Sequence, residues 1–414
     1  MMFRICTVLL GLLATLGSFA LGADGGAVQT FRRDTSAKAP LDFEEVWRVG
    51  PDREEDVYLW TSPDTHLAVA ADGRVLIADV GANRLLAMGP DGTFERVLAA
   101  EGPGPGELRG LRSVQVLADG RTVALDQPPM GLARLLFFDA SGRFSEQKVF
   151  RSLSAIPVSI VAAPDGKRAA GLFMGLDTRR GILTMRTQLV DAQLKPVRTF
   201  VETDLPLPGP DVLRNPANLR DMVADVLAGF YRGQGLVTFD ARGRLIHAAT
   251  HRSQIACLDQ GGETTRWRVA VEGEPIRLRE AERDAMAEVL LEELRATPGM
   301  GRAVTENLVR QAVEKAELPP IKNPLFGLLP AGDRLLAVYD LSFLSLTQAV
   351  DVLAADGRYL GSLRRDGAPF LAPTSNLTPR MVVHGDRATT LEQDADGELV
   401  LVRYRLSWTG PAVD

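Results

Sequence analysis

Apolar residues in this chain recur in short runs separated by glycine-bearing turns, and the stretch from Thr65 to Leu111 shows the arrangement most clearly. His66–Ala70 is a short apolar strand, and Asp72-Gly73 suits the positive backbone angles of a tight hairpin turn. Arg74–Asp79 resumes with Val75, Leu76, Ile77 and Ala78, an unbroken apolar run of the kind that is covered on both faces. Gly81 interrupts, Arg84–Met88 reads as a third strand, Asp91-Gly92 as a second turn and Thr93–Ala99 as a fourth strand. Hairpins at this spacing predict an antiparallel meander.

The unit repeats. The first turn recurs at Asp119-Gly120, Asp165-Gly166, Arg242-Gly243, Gly332-Asp333 and Gly385-Asp386, which with Asp72-Gly73 makes six. A third-strand run follows each: Arg84–Met88, Arg134–Phe138, Thr184–Val190, Gln254–Leu258, Gln348–Leu353 and Glu398–Tyr404. A period of this kind signals a propeller or another array. The expected fold is therefore an all-β, six-bladed β-propeller. Its blades fall at about 66–111, 112–157, 158–206, 229–276, 325–379 and 380–410, the last completed by an N-terminal strand at 42–49 that removes the open sheet edge.

Two stretches change period. Asp211–Phe230 reads as helical, with Asn215 as N-cap, Pro216 at the first helical position, and Leu219, Met222, Val223, Val226 and Leu227 on one face. Leu278–Leu318 reads as a helical hairpin, one stripe running through Ala285, Met286, Val289, Leu290 and Leu294, the other through Leu308 and Ala312, with Pro298-Gly299 between them. Both insertions lie in blade-to-blade connections, as does Gly102–Glu107. These connections share one ring face, and function collects on loops held by a rigid scaffold. The hairpin 278–318 is the candidate lid or partner contact on that face. Capping of the ring is the other reading.

Composition narrows the function. The chain has 414 residues, 45% hydrophobic and 24% charged, with a formal net charge of −6. No basic patch stands out, so nucleic acid is not an expected partner. Met1–Ala23 has a positive start at Arg4, a short apolar core at Val8–Ala20 and small residues before a cut, which is the pattern of a secretory signal peptide. Residues 24–40 read as a flexible leader, and 41–414 as the propeller, with helical insertions at about 211–230 and 278–318. The expected location is periplasmic or extracellular, with no transmembrane span once the signal is removed. Cys6 goes with the signal, leaving Cys257 as a small core residue without a disulfide partner.

Asp79-Val80-Gly81-Ala82-Asn83-Arg84 resembles the Asp-x-x-Asn-x-Arg signature of NHL repeats, and Gly102–Glu107 resembles the Gly-Pro-Gly-Glu linker of bacterial NHL and TolB-like propellers. The second unit keeps Asp126 and Arg134 but lacks the Asn. The resemblance implies that these Asp, Asn and Arg side chains bridge the second and third strands. It also raises two enzyme precedents: lactonases with one divalent metal at the channel mouth, and lyases with several histidine ligands.

The ligand supply here is small. Of the four histidines, His66 begins an innermost strand and His251 lies in a loop on the same face; His247 falls within a strand and His384 beside an opposite-facing turn. No Gly-x-Ser-x-Gly elbow, Walker loop or calcium loop occurs. The expectation is a binding or scaffold protein that uses no cofactor and recognises a protein or small-molecule ligand. His66, Asp79, Glu107, Asp126 and His251 are the candidate ligand- or partner-binding residues. The alternative is a lactonase- or lyase-type enzyme holding one divalent metal ion near His66, Asp79, Glu107 and Asp126.

Overall fold

The structure, a computed structural model, describes residues 27–34, 40–50, 65–128, 132–150, 156–177, 180–206, 215–231, 235–296, 304–342, 348–365, 380–394 and 397–408. The signal-peptide segment Met1–Ala23 and the Pro298-Gly299 break lie outside the described residues.

Two strands, β1 (Gln29–Arg32) and β2 (Leu41–Val49), precede a first meander of β3 (His66–Val69), β4 (Val75–Asp79), β5 (Arg84–Met88) and β6 (Phe94–Ala99). A second meander holds β7 (Leu111–Val116), β8 (Thr122–Asp126), β9 (Arg134–Phe138) and β10 (Phe144–Val149). A third holds β11 (Ile156–Ala162), β12 (Arg168–Asp177), β13 (Ile182–Asp191) and β14 (Pro196–Pro206). Helix α1 (Pro216–Tyr231) leads to β15 (Gly235–Phe239), β16 (Leu245–Ala249), β17 (Gln254–Leu258) and β18 (Thr265–Glu272). Helices α2 (Glu280–Ala296) and α3 (Glu306–Lys315) lead to β19 (Gly327–Ala331), β20 (Arg334–Leu341), β21 (Gln348–Ala354) and β22 (Tyr359–Arg365). The chain ends on β23 (Met381–His384), β24 (Arg387–Gln393) and β25 (Leu399–Trp408).

Side-chain pattern explains strand position. Every residue of β4 and β8, the second strands of their meanders, is buried, as a strand covered on both faces requires. The outer strand β6 buries only its end. The first turns close as the Asp-Gly pairs predict: Gly73 sits at φ +88 and its N–H donates to Ala70 O (2.9 Å), while Asp72 Oδ1 accepts from Arg74 N (3.1 Å). Asp119 and Asp356 make the same side-chain turn.

Hydrogen bonding does not divide the chain into six separate blades. Four blades stand as individual sheets: β3–β6, β7–β10, β11–β14, and β15–β18 with β1 added. The remaining eight strands form one sheet, in the order β2-β25-β24-β23-β19-β20-β21-β22. The join is a parallel pairing of β19 with β23 at Ala331↔Val383. Turn periodicity counts meanders; it does not report whether neighbouring meanders pair. Strand β2 runs antiparallel to β25 along the outer edge, from Leu41↔Trp408 to Val49↔Leu401.

Residues 29–32 also depart from the expected flexible leader. β1 pairs parallel with β18, and Arg33 donates from Nε and Nη2 to Asp351 (2.9 and 2.6 Å) while lying over the Tyr339 ring.

Outer strands latch most units to the next. Trp47 Nε1 donates to Pro90 O (2.9 Å), Lys148 Nζ to Ala192 O (3.2 Å) and Trp267 Nε1 to Ala355 O (2.9 Å). Arg96 bonds Ser141 O and Arg198 bonds Gly262 O in the same way. In each case an outer-strand side chain satisfies a carbonyl of the following unit's outer hairpin.

The helices form a layer of their own, α3 packing on both α1 and α2. Asn215 Oδ1 accepts from Ala217 N (3.0 Å) to start α1, and Thr305 Oγ1 accepts from Leu308 N (3.2 Å) to start α3. Their apolar faces, including Leu219, Val223, Leu290, Leu308 and Ala312, share one core cluster with Met174, Phe326, Leu329 and Met381 of the strands.

Candidate functional site

The strands β3, β7, β11, β15, β19 and β23 are the first of their meanders. Each lies beside the next, and β23 lies beside β3. Together they surround a central cavity of about 470 Å³, a volume typical of small-molecule sites. Most of its wall is aliphatic, with Leu67, Val114, Ile160, Leu236, Leu328 and Val382 among the lining residues. Met174, Phe326, Leu329 and Met381 belong both to this wall and to the cluster beneath the helices. The helix layer therefore packs behind part of the wall, and no helix residue among those described lines the cavity itself. Among the described residues, the clusters built on β3 to β10 contain no helix residue.

The polar groups on the wall are few. His66 opens β3, Arg112 follows the start of β7, and Gln127 stands just after β8. Burial, assisted by the Arg112 charge, lowers the His66 imidazole to about 4, so it is neutral at ordinary pH. Gln115 is committed to the scaffold: its Nε2 donates to Ile160 O (2.9 Å) and its Oε1 accepts from Ala162 N (2.5 Å), clamping β7 to β11. Among the described residues, no Asp or Glu lines the cavity.

Of the candidate residues, His66 alone lines the cavity. Asp79 and Asp126 are fully buried beside it in hydrogen-bond networks. Asp79 accepts from Arg84 Nε (2.9 Å) across the β4–β5 loop. Asp126 accepts from Arg134 Nε (2.7 Å), Arg109 N (2.9 Å) and Gly110 N (2.7 Å). Glu107 folds into its own loop, where Oε2 accepts from Gly104 N (2.5 Å) and its backbone carbonyl accepts from Arg134 Nη2 (2.7 Å). A Cβ at Gly102 would stand 2.1 Å from Glu107 Oε2, so a larger residue there would push the carboxylate off the Gly104 amide. His251 lies in the exposed β16–β17 turn against Arg252 (3.3 Å), and burial followed by the Arg252 charge lowers its pKa.

These five residues do not converge. Among the described residues no group of three or more His, Cys, Asp or Glu side chains could hold a metal ion. The described cavity wall offers one imidazole and no carboxylate, a donor set that does not fit a divalent cation.

Sequence reasoning missed Arg112 and Gln127. Arg112, the second residue of β7, stands in sequence where β3 carries His66, but a bulge rather than the strand alternation sets its direction. A second cluster was also missed. Lys322, 3% exposed, donates from Nζ to Glu282 of α2 (2.5 Å), to Asp340 of β20 (3.1 Å) and to Leu341 O (3.0 Å). Burial opposes ionisation of Glu282, but the Lys322 and Arg279 contacts outweigh it and hold the carboxyl below its usual range. This network ties the helix layer to the ring.

No family model matches the chain, and no curated protein matches it. Solved structures do. A Bacteroides fragilis NCTC 9343 protein, named as exported, is 10% identical, with 92% of this chain and 100% of that one covered at a TM-score of 0.50. A duf4221 family member from Bacteroides vulgatus ATCC 8482 is 9% identical over 89% of this chain and 99% of its own, at a TM-score of 0.48. A gluconolactonase from Xanthomonas campestris is 14% identical over 83% and 86%, at a TM-score of 0.39. At such identities the likeness is one of fold alone. The chain is all-β and propeller-like, and the NHL or TolB-like likeness rests on the first meander's motif.

Proposed function

We propose that this chain is an exported ligand-binding protein whose central cavity holds a small, largely apolar molecule. The observation that carries the reading is the cavity itself: about 470 Å³, surrounded by the first strands of the meanders, mostly apolar, with His66, Arg112 and Gln127 near one end and Gln115, Ser159 and Thr238 further along the strands. The carboxylates that the sequence offered for chemistry are engaged in strand-to-strand hydrogen bonds instead. Export is supported by the Met1–Ala23 pattern, and a similar structure carries the name of an exported protein.

Titration with an uncharged apolar fluorophore, N-phenyl-1-naphthylamine, tests the binding reading. Saturable enhancement at one site per chain is expected. No enhancement, or unsaturable partitioning, would overturn it. Cell fractionation of the native host with N-terminal sequencing tests export; an uncleaved chain in the cytoplasm contradicts it.

A further inference from the structure

β1 lies on the outside of the ring, and none of its residues lines the cavity. β18 is the last strand of its meander, and β1 adds to its edge as a fifth strand. The pairing is parallel, from Gln29↔Val269 to Arg32↔Glu272, and Arg33 N extends it by donating to Glu272 O (2.7 Å). A sheet edge offers a row of amides and carbonyls to any extended segment that reaches it.

Two side chains hold β1 in place. Successive strand residues point to opposite faces, so Phe31 and Arg33 share the inward side while Thr30 and Arg32 are exposed. The Phe31 ring lies 6.2 Å from the Tyr359 ring and packs on the apolar cluster between the fourth and fifth meanders. Arg33 fills a built pocket on the fifth. Its Nε and Nη2 donate to Asp351 (2.9 and 2.6 Å), and its guanidinium carbon stands 3.6 Å from the Tyr339 ring centroid. The Ser362 hydroxyl donates to Asp351 Oδ1 (2.6 Å), and Tyr359 OH lies 2.6 Å from Ser362 Oγ and accepts from Asp34 N (3.2 Å). Gly273 lets the arginine past, because a Cβ there would collide with Arg33 Nη1. A buried carboxylate beside an aromatic face suits a guanidinium.

The two N-terminal strands belong to the ring to different degrees. β2 runs nine residues against β25 and buries Leu41 and Val49 at its ends. β1 has four residues, three exposed and one half-buried. A short terminal strand of that kind opens at far lower cost than the domain as a whole. When it leaves, the β18 edge and the Asp351 pocket remain, the carboxylate without its counter-charge.

We propose that the β18 edge and the Asp351 pocket form a strand-addition site for an extended cationic segment with an aromatic residue two positions before an arginine, and that Phe31–Arg33 is its occupant in cis. The ladder supplies affinity without regard to sequence, and the Tyr359 surface and Asp351 pocket choose the side chains. The tethered arm competes at an effective concentration on the order of millimolar, so a segment from another chain enters when the arm is weakened or displaced.

Hydrogen exchange on the intact chain tests whether the occupant leaves. Residues 29–33 are expected to exchange about a hundredfold or more faster than β17, the neighbouring strand within the sheet; a common rate for both would make β1 a permanent strand and overturn the proposal. Fluorescence anisotropy with a labelled peptide of residues 27–34 tests the site. A chain lacking residues 24–34 should bind it about tenfold or more tighter than the intact chain does, and an Arg33→Met peptide should lose about tenfold or more of that affinity. If the shortened chain fails to fold, the full chain carrying Arg33→Met serves instead: its cis arm is weakened, its pocket is whole, and it should bind the parent peptide more tightly than the parent chain does. A folded recipient of either kind that takes up no peptide, or that holds the Arg33→Met peptide as tightly as the parent peptide, overturns the site.

Discussion

Asp126→Asn separates a fold-holding carboxylate from a catalytic one. Asp126 is fully buried and the Arg134 side chain is 11% exposed, so their 2.7 Å pair is closed to water. An asparagine keeps one oxygen for the Arg109 and Gly110 amides, but its NH2 must then face the Arg134 guanidinium. A buried cation loses its counter-charge and meets a donor, a change that costs about 3–5 kcal/mol. At about 2.1 cal/mol/K of unfolding entropy per residue, a ring of roughly 300 ordered residues loses about 5–8 °C of midpoint for that energy. Asp79→Asn is the control. Its partner Arg84 is 20% exposed and can turn toward water, so its expected cost is smaller, about 1–2 kcal/mol. Differential scanning calorimetry of both variants reads the difference. Asp126→Asn melting with the parent, or Asp79→Asn falling further than Asp126→Asn, would refute the assignment of Asp126 as the deeper structural anchor.

Further outcomes follow from the same networks. Lys322→Met should loosen the helix layer, because Glu282 and Asp340 lose their shared cation; the expected cost is about 3 kcal/mol, with faster proteolysis between α2 and α3, and unchanged proteolysis and melting contradict it. Burial, with Arg112 or with Arg198 and Arg268, lowers His66 and His247 to about 4 from 6.5. The unfolded chain therefore binds more protons between pH 6.5 and 4, so their contribution is whole above that window and is lost as pH falls through it. A His66→Gln/His247→Gln double variant should show a flatter loss of melting temperature between pH 7 and pH 4.5; a slope equal to the parent's refutes this. Arg33→Met should destabilise β1, since Asp351, which is 1% exposed, loses its counter-charge and is left with the Ser362 hydroxyl donor (2.6 Å); hydrogen exchange at residues 29–32 no faster than in the parent would contradict that.

Much of the architecture was legible because tight turns are local. Asp72-Gly73 and its copies specify hairpins from two or three residues, and the helix stripes of α1 and α3 are likewise set within a few turns. What escaped the sequence was contact between units. The Ala331↔Val383 pairing that merges two meanders depends on the approach of strands about fifty residues apart in the chain, and nothing local to either strand encodes it. β1 was hidden for the same reason: Gln29–Arg32 has strand character only against the β18 edge. At the site, His66 was found because it opens an inner strand. Asp79, Glu107 and Asp126 were acids in the right neighbourhood, but burial had committed them to backbone amides and arginines. Arg112 escaped because a bulge, and not the strand alternation, decides where it points.

The most direct test of the cavity as the working part is to fill it. Ser159 lies on the cavity wall and is exposed to that space, so Ser159→Trp projects a large ring inward without displacing core. Val97→Trp, at an exposed outer-strand position, 44% accessible, adds the same group outside the ring. Titration with N-phenyl-1-naphthylamine should show binding lost in Ser159→Trp and kept in Val97→Trp, with both variants melting near the parent. Undiminished binding by a folded Ser159→Trp would place the ligand elsewhere and contradict the account.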